Sequence, residues 1–264
     1  ADIGAMAKST QLLFPSISFA TLVFAFAIVS LGLQIFVSYE KYARYLKYLA
    51  LILLSYIASA LLVKLNYKDL ITGALIPTIK ITREQIFLIC AVLGTTISPY
   101  LFFWQTSQEV EESILKGQTS IKLRQETVSD KEIKLMRQDV WSGMFLSNLV
   151  MFFIIAATAA TLFANGITNI PTVAEAAAAL RPIAGEHAYL LFTLGVIGTG
   201  MLAIPVLAGS ASYAMSESFG WKTGLYRKLK EANAFYGIII ISTFLGVALN
   251  FVGIDPIKAL IFAA

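Results

Sequence analysis

Long apolar runs separated by short charged segments dominate the chain. At least five uncharged stretches are long enough to cross a bilayer, which takes about 20 consecutive apolar residues in a helix. The pattern predicts spans at 1–13 (partial), 15–38, 45–63, 86–108, 140–165, 188–215, 232–254 and 257–264 (partial). We therefore expect an all-α integral membrane protein whose single transmembrane domain covers residues 1–264.

Composition supports this class and argues against several others. Of the 264 residues, 58% are hydrophobic and 14% are charged, which is far from the balance of a soluble domain. The single Cys90 excludes an internal disulfide framework. The sequence shows no Gly-rich phosphate loop and no cluster of His, Cys or carboxylates at membrane depth. We therefore expect neither an enzyme nor an ATP-driven pump, and no cofactor.

The distribution of basic residues predicts an orientation in the membrane. If the loops alternate between the two sides, thirteen Lys and Arg residues fall on one side and seven on the other. The richer side should face the cytoplasm, which places the loops 39–47, 109–139 and 216–231 there. The net charge of +4 reflects these loop lysines, so no nucleic-acid partner is expected.

One predicted span, 86–108, contains a segment that spanning helices usually avoid, Gly94-Thr95-Thr96-Ile97-Ser98-Pro99. Pro99 removes a backbone donor and clashes with the preceding turn, and Gly94 lowers the cost of unwinding. At membrane depth, non-helical backbone is tolerated where it is buried in protein or lines a cavity. Broken helices of this kind mark ion or substrate sites in secondary transporters. We expect two half-helices with an unwound centre at Gly94–Ser98.

The same segment is rich in oxygen donors. Freed carbonyls and the hydroxyls of Thr95, Thr96 and Ser98 are hard ligands of the kind that cations prefer. The alternative is that Gly94 and Pro99 only kink the helix, with hydroxyls filling the broken hydrogen bonds. The protein would then be an ion channel or a membrane scaffold. The residues alone leave both interpretations open.

The longer segment 93–107 resembles the sixth transmembrane helix of the Nramp family of divalent-metal transporters, which have a LeuT-like fold. The family pattern is Gly-Ala-Thr-Val-Met-Pro-His, followed by aromatic and aliphatic residues and a Ser. Four positions match it: Gly94, Thr96, Pro99 and Ser107. Three depart from it: Thr95 for Ala, Ser98 for Met and Tyr100 for His. The resemblance extends to 1–13, 140–161 and 198–217, and the departures look like those of a divergent bacterial branch.

This resemblance implies a truncated LeuT-like bundle with a discontinuous helix, lacking the first two helices and the C-terminal end. It implies a secondary transporter that moves divalent cations of the Mn/Mg/Fe class across a lipid bilayer by alternating access. The membrane would be a bacterial inner (plasma) membrane. The backbone carbonyl of Thr95 and the side chain of Ser98 stand where the family's ligands face the ion. Because Ser98 offers a small hard oxygen in place of sulfur, the preference should move towards Mg²⁺ or Mn²⁺ and away from Cd²⁺.

Asp2 and Tyr100 are the residues that the resemblance places near the family's proton pathway. Asp2 is the only acid in the first 39 residues and lies one position from the family's acidic residue. An acid at a helix end near water is the alternative interpretation. Tyr100 stands where the family has a His, and a phenol with a reference pKa of about 10 stays neutral. We therefore expect weak or no proton coupling.

Overall fold

The computed structural model describes residues 1–37, 39–63, 65–76, 81–96, 98–170 and 172–253. These ranges form α-helices with two short 3₁₀ turns, Leu51–Leu53 and Phe163–Asn165, and contain no strand. The helices are α1 (Asp2–Leu13), α2 (Phe19–Phe36), α3 (Tyr39–Ala50), α4 (Leu54–Leu62), α5 (Tyr67–Leu75), α6 (Arg83–Thr96), α7 (Pro99–Leu115), α8 (Ile121–Thr127), α9 (Asp130–Thr161), α10 (Val173–Ser218) and α11 (Asn233–Leu249). The all-α prediction is confirmed.

Several of these helices can cross a bilayer. In the described residues, five segments are long and apolar enough: Phe19–Phe36, Arg44–Leu62, Arg83–Leu115, Asp130–Asn165 and Gly185–Ser218. The helix α11 is apolar but shorter. Each segment contains one of the long apolar runs of the sequence, so the protein is an integral membrane protein by length and composition. The partial span expected at 257–264 lies outside the described residues.

One segment that the basic-residue pattern treated as a loop is helical. Residues 39–47 belong to α3, which continues through a 3₁₀ turn into α4. Tyr, Lys, Arg, Leu and Ala fill this helix, and most of them are adequate or good helix formers. The chain therefore enters its second long span through a basic, aromatic helical turn and not through an extended connection.

The helix α10 begins well before the span predicted at 188–215. The Thr172 hydroxyl caps it by accepting a hydrogen bond from the Glu175 backbone N–H at 3.2 Å. The alanines that follow favour helix, which explains why these residues are helical. At Gly185 the backbone leaves helical geometry, with φ at +88°. Only glycine adopts that conformation readily, so the bend between the two parts of α10 falls there.

The fold is organised around α10, which packs against α1, α2, α3, α4, α7, α9 and α11. Glycines on α10 allow these neighbours to approach closely, as small residues do in membrane bundles. A Cβ at each would collide with a side chain of a different neighbour: Gly195 with Tyr56, Gly198 with Ile52, Gly200 with Met6 and Gly209 with Trp104. At these four glycines, side chains of the neighbouring helices therefore pack directly against the backbone of α10.

Buried side chains gather in separate clusters along α10. One cluster joins α3, the end of α10, the loop 219–232 and α11, and we call it the aromatic cluster. Its members include Tyr42, Tyr213, Leu225, Phe235 and Tyr236, each less than one-tenth exposed. The Tyr213 and Phe235 rings meet edge to face with centroids 4.9 Å apart. This cluster holds the α10–α11 loop against the bundle.

Candidate functional site at the interrupted helix

The span containing Gly94 and Pro99 is interrupted, but over fewer residues than expected. The helix α6 continues through Thr96 and α7 begins at Pro99. The expectation of an unwound centre from Gly94 is therefore wrong for residues 94–96, which are helical. Between the two helices, Ser98 is extended, with φ −86° and ψ 124°. Ile97 lies outside the described residues.

Local chemistry explains the position of the interruption. Proline disfavours helical geometry in the residue before it, which accounts for the extended Ser98. Pro99 itself occupies the first position of α7, where its missing N–H costs nothing. On the other side, the hydroxyls of Thr95 and Thr96 both donate to the Val92 carbonyl, at 2.9 and 2.7 Å. These bonds support the last turn of α6, because they hold the side chains against the helix backbone.

Ser98 brings the oxygens of the interruption together. Its hydroxyl lies 2.8 Å from the Gly94 carbonyl oxygen and 2.9 Å from the Thr95 carbonyl oxygen, and donates to them. These carbonyls belong to the last turn of α6, where intrahelical partners run out. Ser98 is 5% exposed, whereas Thr95 is exposed. The two predicted metal ligands, the Thr95 carbonyl and Ser98, are thus neighbours in space, and one of them is buried.

The helix α7 is fixed to α10 along one face. The Ser210 hydroxyl of α10 donates to the Tyr100 carbonyl at 3.0 Å. One turn further, the indole of Trp104 packs on Gly209 and meets the Tyr213 ring edge to face at 6.2 Å. These contacts recur every four residues on α7, so they form one continuous seam. We call these contacts the α7–α10 seam.

The helix α6 has a very different environment. Ala91 is its only buried residue in the described part of the chain. Large apolar side chains on it are exposed to about half of their area: Phe87, Leu88 and Leu93. Cys90 lies on the same helix and is exposed. The two half-helices therefore meet at the interruption but differ in how firmly they are packed.

The residues predicted for proton movement lie on different elements. Asp2, in the first turn of α1, lines a cavity of about 220 Å³ together with Ser242 and Thr243 of α11. Tyr100 is on α7, and its side chain is 36% exposed. In the part of the chain that the structure describes, no hydrogen bond joins Asp2 to Tyr100. Their role in proton movement stays a prediction.

Acidic side chains near the end of α7 form a cleft with α8 and α9. The cleft, of about 490 Å³, is lined by acids and bases together, including Glu109, Glu132, Asp139, Lys116 and Arg124. In the described part of the chain, no group of three or more His, Cys, Asp or Glu side chains could hold a metal ion. The mixed charges are typical of a solvated helical surface.

Sequence reasoning did not single out Glu111, and the structure gives it a specific place. It is 2% exposed, although it lies within a run of acids that the sequence presents as surface. Its carboxylate accepts hydrogen bonds from the backbone of the loop between α10 and α11. Those residues lie more than a hundred positions away, so no local pattern could have indicated the contact. A helical register placing Glu111 on the face of Tyr100, Trp104 and Gln108 was the only available signal.

The fold and the interrupted apolar helix define an integral membrane protein built as a helical bundle. A family model described as "Natural resistance-associated macrophage protein-like" matches residues 1–264. The chain belongs to this family, Nramp, which confirms the resemblance read from the sequence of the interrupted helix.

Curated relatives agree with the family match. A protein of Yersinia pestis (strain Pestoides F) named divalent metal cation transporter MntH is 30% identical over 167 residues, which cover 60% of this chain and 37% of the relative. A protein of the same name from Erwinia tasmaniensis is 25% identical over 172 residues, covering 63% of this chain and 38% of the relative. The chain thus spans well under half the length of these relatives, whose names describe transporters and not enzymes.

Proposed function

We propose that this chain is part of a secondary transporter that moves divalent cations across a membrane. Membership of the Nramp family and the names of the relatives support metal as the transported substrate. The observation that carries the proposal within this chain is the contact of the Thr95 carbonyl with the Ser98 hydroxyl at 2.9 Å. It brings two hard oxygens to one point at the interruption of a membrane-spanning helix.

The spacing of these oxygens suits a small divalent ion. Mg²⁺ binds oxygen ligands at about 2.0–2.1 Å in an octahedron, so neighbouring ligands lie about 3 Å apart. The Thr95 carbonyl and Ser98 hydroxyl oxygens already have this separation. For Ser98 to act as a ligand, its proton must turn away from the carbonyls so that a lone pair faces the ion. The absence of sulfur at position 98 favours Mg²⁺, Mn²⁺ or Fe²⁺ over softer Cd²⁺.

Burial at the site favours alternating access over an open pore. Ser98 is 5% exposed, so an ion reaches it only after neighbouring elements move. A LeuT-like arrangement, in which one part of the bundle moves against another around a central site, would provide that movement. The channel or scaffold alternative draws support from the Thr95 and Thr96 hydroxyls, which fill hydrogen bonds on α6 as a kinked helix would require. A channel would conduct divalent ions as single-channel currents in a planar bilayer, whereas a transporter that works by alternating access would give none.

The orientation follows from the basic loops and gains support from packing. Segments 39–47, 109–139 and 216–231 are proposed to be cytoplasmic, in a bacterial inner membrane. Tyr42 and Leu225 lie together in the aromatic cluster, and Glu111 bonds to the Leu225 backbone. Residues in or next to the three segments therefore lie at one end of the bundle, as residues on one side of a membrane must.

Metal uptake by the full-length protein in liposomes tests this function. Ser98→Ala should raise the KM for Mn²⁺ by about 10–100-fold, the scale on which metal sites respond to loss of supporting groups. The matched control is Thr106→Ala, which also removes a hydroxyl from α7, but one that donates to the Phe102 carbonyl and is exposed. Equal uptake by parent, Ser98→Ala and Thr106→Ala would reject the site.

Proton coupling is proposed to be weak or absent. Tyr100 stands where the family has a His, so metal entry should follow the membrane potential and the metal gradient. The measurement is the internal pH of liposomes containing the full-length protein during metal uptake. Stoichiometric acidification that depends on metal and disappears in Asp2→Asn would restore a proton-coupled mechanism.

A further inference from the structure

The side chain of Glu111 is enclosed by groups from a distant part of the chain. Its Oε1 accepts a hydrogen bond from the Leu225 backbone N–H at 2.6 Å, and its Oε2 accepts one from the Tyr226 N–H at 3.0 Å. The Tyr213 hydroxyl also donates to Oε1. Gln108, one turn earlier on α7, donates to the same hydroxyl at 3.2 Å. Glu111 thus joins α7, α10 and the α10–α11 loop in one polar network.

This network is costly to break. A buried carboxylate is tolerated only when hydrogen bonds replace its lost water, and removing one partner leaves the others unsatisfied. Here two backbone N–H groups of the loop point at the carboxylate, so they lose their acceptors if Glu111 withdraws. The hydrogen bonds from the loop to the end of α7 therefore form and break together.

The loop backbone is shaped to reach the carboxylate. Gly224 has φ at +119°, a conformation that other residues rarely adopt. A Cβ on Gly224 would lie 3.0 Å from the Glu111 Oε1 and would also collide with the Tyr226 ring. Glycine is thus required here for two independent reasons. The turn that presents the Leu225 and Tyr226 N–H groups depends on it.

The position of Glu111 on α7 connects this contact to the interruption. Ser98 precedes α7 and Glu111 lies 13 residues later on the same helix, a distance of about 20 Å at 1.5 Å per residue. A helix transmits displacement of one end to the other as a nearly rigid body. Whatever fixes Glu111 therefore also limits how far the Ser98 end of α7 can move or tilt.

We propose that Glu111 is a positioning residue that holds α7 against the α10–α11 loop, and that breaking its contacts releases α7 to move relative to α10. The consequence for transport rests on the proposed function, whereas the contact itself does not. Release of the carboxylate frees one half of the interrupted helix without removing any of the proposed metal ligands. Substitution should therefore lower the maximal rate of uptake more than it changes the KM.

Distances between spin labels test the contact directly. In full-length Cys90→Ser protein in liposomes, labels are placed at Leu115→Cys, near the end of α7, and at Lys230→Cys, in the loop; both native side chains are exposed. Glu111→Gln keeps the shape but replaces one acceptor oxygen by an amide that cannot accept from a backbone N–H. The control is Glu217→Gln, an exposed acid that lines the same 210 Å³ cavity beside Glu111.

The parent and Glu217→Gln should give one narrow distance distribution, and Glu111→Gln should shift it to longer, broader distances. If Glu111→Gln does not fold, the same distance is measured in Tyr213→Phe. This variant removes the hydroxyl that donates to Glu111 and keeps the ring that packs on Trp104 and Phe235. Unchanged distances in the variant that folds would overturn the proposal. A shifted distance in Glu111→Gln, found together with no metal uptake by the parent protein, would support the contact and reject the proposed function instead.

Discussion

The two halves of the interrupted helix have opposite environments. The helix α7 is joined to α10 through Tyr100, Trp104 and Glu111, by a hydrogen bond, ring packing and a buried carboxylate in turn. The helix α6 buries only Ala91 in the described part of the chain. Within the described part of this chain, one half is therefore fastened along a seam and the other makes few contacts. The difference indicates that α7 belongs to the core built on α10, and that α6 does not.

This contrast also gives Ser98 its significance. Ser98 is the residue just before the fastened half, and its hydroxyl reaches back to carbonyls of the other half. A change in the angle between α6 and α7 must therefore alter these oxygen contacts first. The proposed metal site and the joint between the half-helices are the same few atoms, so the proposed function requires ion binding to be coupled to helix movement there.

Removal of the largest side chain in the α7–α10 seam should have the strongest effect on stability. Trp104→Ala leaves a cavity over Gly209. Loss of a fully buried aromatic costs about 3–5 kcal/mol, and because Trp104 is partly buried we expect a loss of about 3 kcal/mol. The comparison variant is Phe87→Ala on α6, whose side chain is 56% exposed and should cost within about 0.5 kcal/mol. Melting temperatures in one detergent measure both. Equal losses would contradict the difference between the two halves.

A smaller loss is expected from filling the space that Trp104 occupies. Gly209→Ala brings a Cβ into collision with carbon atoms of the Trp104 ring. Overpacking of this kind costs about 1–3 kcal/mol. Gly32→Ala in α2 is the control, because a Cβ there meets nothing within 4 Å. The melting temperature should fall for Gly209→Ala and hold or rise for Gly32→Ala. A fall of similar size in both would mean that close approach in the seam is unimportant.

The smallest of these effects concerns a single hydrogen bond. Ser210→Ala removes the donor to the Tyr100 carbonyl and should cost about 1 kcal/mol. Ser210 also donates to the Val206 carbonyl of its own helix at 2.6 Å. Ser218→Ala is the matched control, because Ser218 donates in the same way to the Ala214 carbonyl but is exposed. The melting temperature should fall further for Ser210→Ala than for Ser218→Ala. If Ser218→Ala is the more damaging change, the bond to Tyr100 contributes nothing to the seam.

Local rules predicted some features of the site and missed others. The influence of Pro99 on its neighbour acts within two residues, so the interruption next to it followed from the sequence. The helical state of Thr95 and Thr96 did not, because their hydroxyl bonds to Val92 compete with unwinding and are not visible in the pattern. The glycines of α10 are visible in the sequence, but which helix packs on which glycine is decided by the tertiary structure.

Glu111 shows the limit most clearly. In the sequence it is one of three glutamates within four residues and resembles a solvated surface charge. Its burial depends on loop residues 225 and 226, which approach it only after α10 and α11 have packed. Because these residues are far from Glu111 in the sequence, no periodic pattern of hydrophobic and polar positions indicates the contact. The burial of one acid in a charged run is therefore a property of the fold and not of the local pattern.

Metal selectivity of the full-length protein in liposomes tests the central claim most directly. Uptake of Mn²⁺, Mg²⁺ and Cd²⁺ is measured for the parent and for Ser98→Met, which supplies a soft sulfur at the interruption. The parent should favour Mn²⁺ and Mg²⁺ over Cd²⁺, and Ser98→Met should move the preference towards Cd²⁺. Strong Cd²⁺ uptake by the parent that is indifferent to Mg²⁺ and abolished in Ser98→Ala would contradict a hard-oxygen site between α6 and α7.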